Sequence, residues 1–191
     1  MRGLADLWFE LSVDAEEWCQ ARSPWLRGAL WLYLLYALAR HAFDPLYRSW
    51  FAGITLVVHE GGHLIFAAFG RTMMLLGGSL TQLLVPTFVA AYLLLRQRDW
   101  FGLTVGLGWL SCSAFELATY VADANKGQLP LVGMGDDVIH DWDALLTQWH
   151  LLNSCDTYAL LLRLGAGLLG LLSSALGAWL LVTIYRQRAA A

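Results

Sequence analysis

Apolar residues gather in five stretches, each close to the ~20 residues of helix needed to cross a hydrocarbon core about 30 Å thick. They cover roughly residues 25–43, 50–70, 75–95, 100–122 and 158–185. Short polar breaks separate most of them: Asp44-Pro45, Arg71-Thr72 and Arg96-Gln97-Arg98-Asp99. A long polar segment, 123–157, precedes the last. Two further segments are apolar on one helical face only. Leu4, Leu7, Trp8 and Leu11 lie opposite Asp6, Glu10, Asp14 and Glu17, which predicts an amphipathic helix over residues 4–20 on the membrane surface. Trp142, Leu145, Leu146, Trp149 and Leu152 repeat at the same period and predict a second short interfacial helix. The pattern thus predicts an all-α polytopic membrane helix bundle of about five spans in one integral membrane domain, 1–191. Its parts are an N-terminal segment over 1–24, four spans over 25–122, a polar loop with a short helix over 123–157, and the last span over 158–185.

Composition agrees with a membrane as solvent: 58% of residues are hydrophobic, 14% are charged, and the mean hydropathy is +0.53. Ten Trp, seven Tyr and eight Phe suit the two lipid–water interfaces. The net charge of −3 and scattered cations exclude a nucleic-acid partner, which needs clustered Lys and Arg. The expected partner is the lipid bilayer. Cys19, Cys112 and Cys155 are odd in number and far apart, which excludes a disulfide framework and a Cys-based zinc knuckle. No charged leader or small-residue cleavage site precedes the first apolar run near Trp25, so the spans themselves are expected to direct insertion. Arg40, Arg48, Arg96, Arg98, Arg186 and Arg188 fall on one side of the membrane, against Arg22, Arg27, Arg71, Lys126 and Arg163 on the other. That bias leans toward a cytoplasmic C-terminus in a plasma or inner membrane. The oligomeric state is left open.

The run Gly165-Ala166-Gly167-Leu168-Leu169-Gly170 has the glycine spacing of a dinucleotide-binding turn. No strand precedes it, and with Ser174 and Gly177 it reads instead as a close helix-packing face, as do Gly102 and Gly106.

The chemistry is concentrated in the second span, at His59-Glu60-Gly61-Gly62-His63. Residues four apart project from one face of a helix, so both imidazoles can hold one metal ion. With a third ligand and an open position, zinc lowers the pKa of a bound water to about 7, and the adjacent Glu60 is the expected base. Gly61 and Gly62 permit close approach of a substrate strand or a neighbouring helix. Ionisable groups in apolar spans are expensive, which favours function over chance. The third ligand is expected in the cluster Asp136-Asp137-Val138-Ile139-His140-Asp141-Trp142-Asp143, on the side where the second span ends. His140 is favoured, with Asp141 as the alternative and a flanking carboxylate such as Asp137 to orient the ring. Asp141 and Asp143 equally suit the N-terminus of the helix that follows. Glu116, Gln82 and Asp123 are further polar groups in apolar spans and candidates to support the ligands or bind substrate. Gln82 can also satisfy backbone freed by Pro86. Gly127, Pro130, Gly133 and Gly135 mark irregular backbone that can fold over a polar cavity as a gate.

The motif Val57-Val58-His59-Glu60-Gly61-Gly62-His63 within an apolar span resembles the site-two-protease group of intramembrane zinc metalloproteases, over roughly residues 50–95. The resemblance implies peptide-bond hydrolysis at or within the membrane, with His59 and His63 as zinc ligands and Glu60 as catalytic base. Members of that group take a third ligand from an Asp-Gly pair in a later span and carry an inserted recognition domain. This chain has neither. The expected function is zinc-dependent proteolysis of a membrane-protein or peptide substrate. The alternatives are a zinc hydrolase of lipid esters or amides, and a non-catalytic zinc-binding scaffold or transporter.

Overall fold

The computed structural model describes residues 3–131 and 139–190, and every regular element among them is helical. Seven α-helices follow one another: α1 (Leu4–Cys19), α2 (Pro24–Phe43), α3 (Ala52–Phe66), α4 (Arg71–Leu95), α5 (Trp100–Asp123), α6 (Asp141–Gln148) and α7 (Cys155–Ala189). Short 3-10 turns extend α3 to Phe69 and precede α7 from Leu152. Pro24 opens α2 at a position whose missing N–H would have been unpaired anyway. Asp99 caps α5 by accepting the Gly102 N–H at 3.0 Å. Gly70, at φ 91°, makes the left-handed turn that lets α4 start directly after α3.

Four helical segments are long and apolar enough to cross a membrane: Ala52–Phe69, Arg71–Leu95, Trp100–Asp123 and Leu152–Ala189. The expected count was five. The 25–43 stretch does form a 20-residue helix, α2, but Arg27, Arg40 and His41 near its ends and its Trp and Tyr side chains lower its hydropathy. It therefore falls outside the set of four.

Helix α5 is the centre of the bundle, with 72% of its most apolar window inside the protein against 22–33% for the other three. Small residues let its neighbours approach. A Cβ on Gly106 would lie 2.6 Å from Ala90 Cβ of α4, and one on Gly170 of α7 would lie 3.0 Å from Ser111 Oγ of α5. Buried hydroxyls bond across the seams: Ser111 donates to Ala166 O at 2.6 Å and Ser173 donates to Thr104 O at 2.8 Å. The glycines of the last span thus face a helix, as expected, except Gly165 and Gly167, around which a Cβ meets nothing within 4 Å. On α3 the buried stripe is Ala52, Thr55, His59 and Gly62, while Ile54, Val57, Leu64 and Ile65 point outward. An apolar outer face and a polar inner one is the pattern of a helix in lipid that shields a site.

Helix α1 is more than a surface float. Ala15, Trp18 and Cys19 are buried against Trp100, Phe101, Leu180 and Ile184. Trp100 Nε1 donates to Asp14 at 2.9 Å, which pins α1 to the start of α5. The second amphipathic repeat forms α6, which buries Leu145 and Leu146.

Candidate metal centre

The turn of α3 that carries the motif packs against α4 with almost no space between the backbones. A Cβ on Gly62 would fall 2.2 Å from Gly77 O, and a Cβ on Gly77 would fall 2.6 Å from Gly62 O. Glycine on both helices is therefore what permits the contact. Thr81 of α4 donates to Val58 O of α3 at 3.0 Å and holds the seam. Of the two motif glycines, Gly62 admits α4, whereas a Cβ on Gly61 meets nothing within 4 Å.

This approach fixes both imidazoles. His59 Nδ1 is 2.9 Å from Gln82 Oε1, and Gln82 is itself oriented by donating from Nε2 to Ser113 O at 2.9 Å. His63 Nδ1 is 2.8 Å from Met74 O, an acceptor that requires the proton on Nδ1. Both rings then present an unprotonated Nε2, the tautomer a metal ligand needs. Gly78 leaves the room, since a Cβ there would stand 2.6 Å from each Nε2.

The third group is Asp141. Its Oδ2 is 3.2 Å from His59 Nε2 and 3.3 Å from His63 Nε2, and the three ligand atoms lie within 4.8 Å of one another. Three acceptors facing one point repel unless a cation lies among them, so this buried group can hold a metal ion. Tyr120 of α5 steers the carboxylate: its hydroxyl accepts the Asp141 N–H at 3.0 Å and donates to Asp141 Oδ2 at 3.3 Å.

His140, the favoured third ligand, stands one residue away and faces elsewhere. Its Nδ1 accepts the Asp143 N–H at 3.3 Å and so caps α6, which places the ring proton on Nε2. That nitrogen looks toward Asp123 Oδ2 at 3.7 Å, and the ring stacks on Tyr120 with centroids 4.2 Å apart. Burial holds its pKa below the ordinary value, against the opposing pull of Asp123 and Asp141. The helix geometry explains the exchange: Asp141 is the first residue of α6 and turns into the bundle, while the cap residue before it turns back toward the end of α5. The cap is therefore the imidazole rather than Asp141 or Asp143.

Asp123 ties down the start of the loop, accepting from Gln128 N at 3.0 Å and Leu129 N at 2.9 Å. Gln82 touches His59 directly, so its amide is spent on the ligand and on Ser113 rather than on backbone freed by Pro86. Asp136 and Asp137 lie outside the described residues, as do Gly133 and Gly135 of the expected gate. Glu60 and Glu116 line a cavity of about 400 Å³ that opens on His59, His63 and Asp141.

Several supporting groups escape a sequence reading. Met74 acts through its carbonyl, which every residue possesses. Trp142 Nε1 donates to Ser79 Oγ at 3.0 Å and docks α6 on α4, yet in sequence Trp142 is one apolar position among five. Gly77-Gly78 did carry a signal, a glycine pair in an apolar helix following a glycine pair in the motif. No protein-family model, curated protein or solved structure matches the chain.

Proposed function

We propose that this protein is a zinc-dependent metalloprotease of the membrane that cleaves peptide bonds of membrane or membrane-proximal substrates. The observation that carries the reading is the convergence of His59 Nε2, His63 Nε2 and Asp141 Oδ2 on a cavity that Glu60 also lines. Two imidazoles and one carboxylate are the ligand type of hydrolytic zinc sites, which keep a fourth position open. Tetrahedral ligands at bond lengths of about 2.0–2.1 Å lie about 3.4 Å apart. Asp141 Oδ2 stands 3.2 and 3.3 Å from the two ring nitrogens, close to that spacing.

Bound zinc supplies a water made acidic enough to deprotonate near pH 7 and a Lewis acid for the scissile carbonyl. The remaining work belongs to the chain. Glu60 takes the proton from the attacking water and returns it to the leaving amine. Gln82 and the Met74 carbonyl keep the two rings aimed, and Tyr120 keeps Asp141 in register. Leu56, Leu64, Leu75 and Leu131 give the cavity apolar walls, suited to the side chains of a membrane segment. The protein acts as a multi-pass membrane protein with its C-terminus in the cytoplasm.

The test uses the full chain in lipid nanodiscs, loaded with zinc and offered quenched fluorescent apolar peptides and, separately, fluorogenic lipid esters. Glu60→Gln is expected to keep stoichiometric zinc and to lose peptide cleavage by roughly 10²–10⁴-fold, the usual size of a general-base contribution. Equal cleavage by Glu60→Gln and wild type, or cleavage of the esters alone, would overturn the proposal.

A further inference from the structure

The cavity contains a second carboxylate that the ligand set does not use. Glu116 lines it from α5, one turn before Tyr120, the residue that bonds to Asp141. Its Oε1 is enclosed and has no hydrogen-bond partner among the described residues. His41 Nε2 of α2 stands 3.9 Å away, on a ring 99% buried, and that nitrogen is equally without a partner. The His41 ring is wedged between Tyr47 and Phe115, with centroids 5.0 and 6.0 Å away, so it forms a fixed wall behind the carboxylate. The side chain of Glu116 keeps 20% exposure, and that exposure opens on the cavity. The exposed part of the side chain, and not the enclosed Oε1, is what a ligand in the cavity can meet, and a carboxylate there can accept a donor that the ligand brings.

Arg48 lines the same cavity and forms no salt bridge among the described residues. An acceptor and a donor thus line the same cavity as His59, His63 and Asp141. An extended peptide backbone offers N–H and C=O groups in alternation, whereas a lipid ester offers carbonyls only.

Building on the protease reading above, we propose that Glu116 is a substrate-binding residue whose carboxylate accepts a backbone N–H of a peptide lying in the cavity. His41 walls the carboxylate from behind, and Arg48 meets a substrate carbonyl. The site therefore selects amide-bearing chains over ester lipids at a residue separate from the metal ligands and from Glu60.

The experiment uses the zinc-loaded full chain in nanodiscs and a hydroxamate-capped leucyl-leucine methylamide as probe. Its counterparts have each backbone N–H in turn replaced by an ester oxygen, which removes the donor without adding bulk. One of these replacements is expected to weaken binding to wild type at least about tenfold, the usual effect of losing a hydrogen bond to a charged group. Glu116→Ala is expected to weaken the parent probe by the same factor and to be indifferent to that replacement. Glu116→Gln, which keeps an acceptor oxygen of the same shape, is expected to restore part of the discrimination. Zinc content checks that each variant keeps the site. Hydroxamate binding with equal penalties in wild type and Glu116→Ala overturns the assignment of Glu116 and leaves the metal site standing. Failure of zinc-loaded wild type to bind any hydroxamate overturns the protease reading and this assignment with it.

Discussion

Gly78→Ala separates a metal centre from a mere contact between helices. In the interior of a helix alanine is favoured over glycine by about 1 kcal/mol, so an account based on helix propensity alone expects a protein at least as stable as wild type. The site predicts a different outcome for the metal. The new methyl would stand 2.6 Å from His59 Nε2, 2.6 Å from His63 Nε2 and 2.7 Å from His63 Cε1, where ordinary contact begins at 3.4 Å. Both rings must retreat by about 0.8 Å, or the helices must part by that amount where Gly62 and Gly77 already touch. Metal–ligand bonds tolerate only about 0.2 Å. Changes in the groups behind a ligand typically cost 10–100-fold in affinity, and displacing two ligands exceeds that. The expected loss in zinc affinity is at least about 100-fold, or about 2.7 kcal/mol at 1.36 kcal/mol per decade. Competition with a chromophoric chelator measures it, and the d–d spectrum of the cobalt-substituted protein reports the coordination. Gly165→Ala is the control, because a Cβ there meets nothing within 4 Å. Stoichiometric zinc bound by Gly78→Ala with wild-type affinity would refute the geometry on which the site rests.

Three further outcomes follow from the same coordinates. Asp141→Ala is expected to lose stoichiometric zinc, whereas His140→Ala keeps it and loses about 0.5–2 kcal/mol of stability as the α6 cap disappears; metal analysis beside thermal melting separates the two, and the reverse pattern would restore His140 as a ligand. Gln82→Leu removes the partner of His59 Nδ1 and is expected to weaken zinc binding 10–100-fold without removing a ligand, measured by the same chelator competition. Burial pushes the Cys19 thiol up to about 11. Because that pKa is raised, only about a thousandth of the thiol is ionised at pH 8 and reactivity grows as pH rises. Maleimide labelling of Cys19, with Cys112 and Cys155 replaced, should therefore be slow in the folded protein and fast in SDS; equal rates would contradict the burial of α1 against α7.

The elements were legible because each rests on a local rule. Apolar length marked the long helices, a one-sided apolar repeat marked α1 and α6, and small residues at three- and four-residue spacing marked the α7 face that meets α5. Two of the three candidate ligands were equally legible, since the helical repeat alone brings His59 and His63 to one face. Where the local rule was blunt, the outcome moved: α2 has the length of a span but, with Arg27, Arg40 and His41 near its ends, not the hydropathy.

The amino-acid sequence by itself thus determined an all-helical, strongly apolar chain with a pair of imidazoles that can share a metal ion and an adjacent carboxylate on one helix. Only the tertiary structure decided which neighbour completes the group. His140 and Asp141 are adjacent in the chain and both are able ligands; ligand type alone favoured His140, and spacing could not separate them. The docking of α6 on α4 through Trp142 and Ser79, and the two bonds between Tyr120 and Asp141, turn Asp141 inward and leave His140 to cap the helix. The direction of a side chain at a helix start is set by where that helix packs, and that information lies in contacts between residues far apart in sequence.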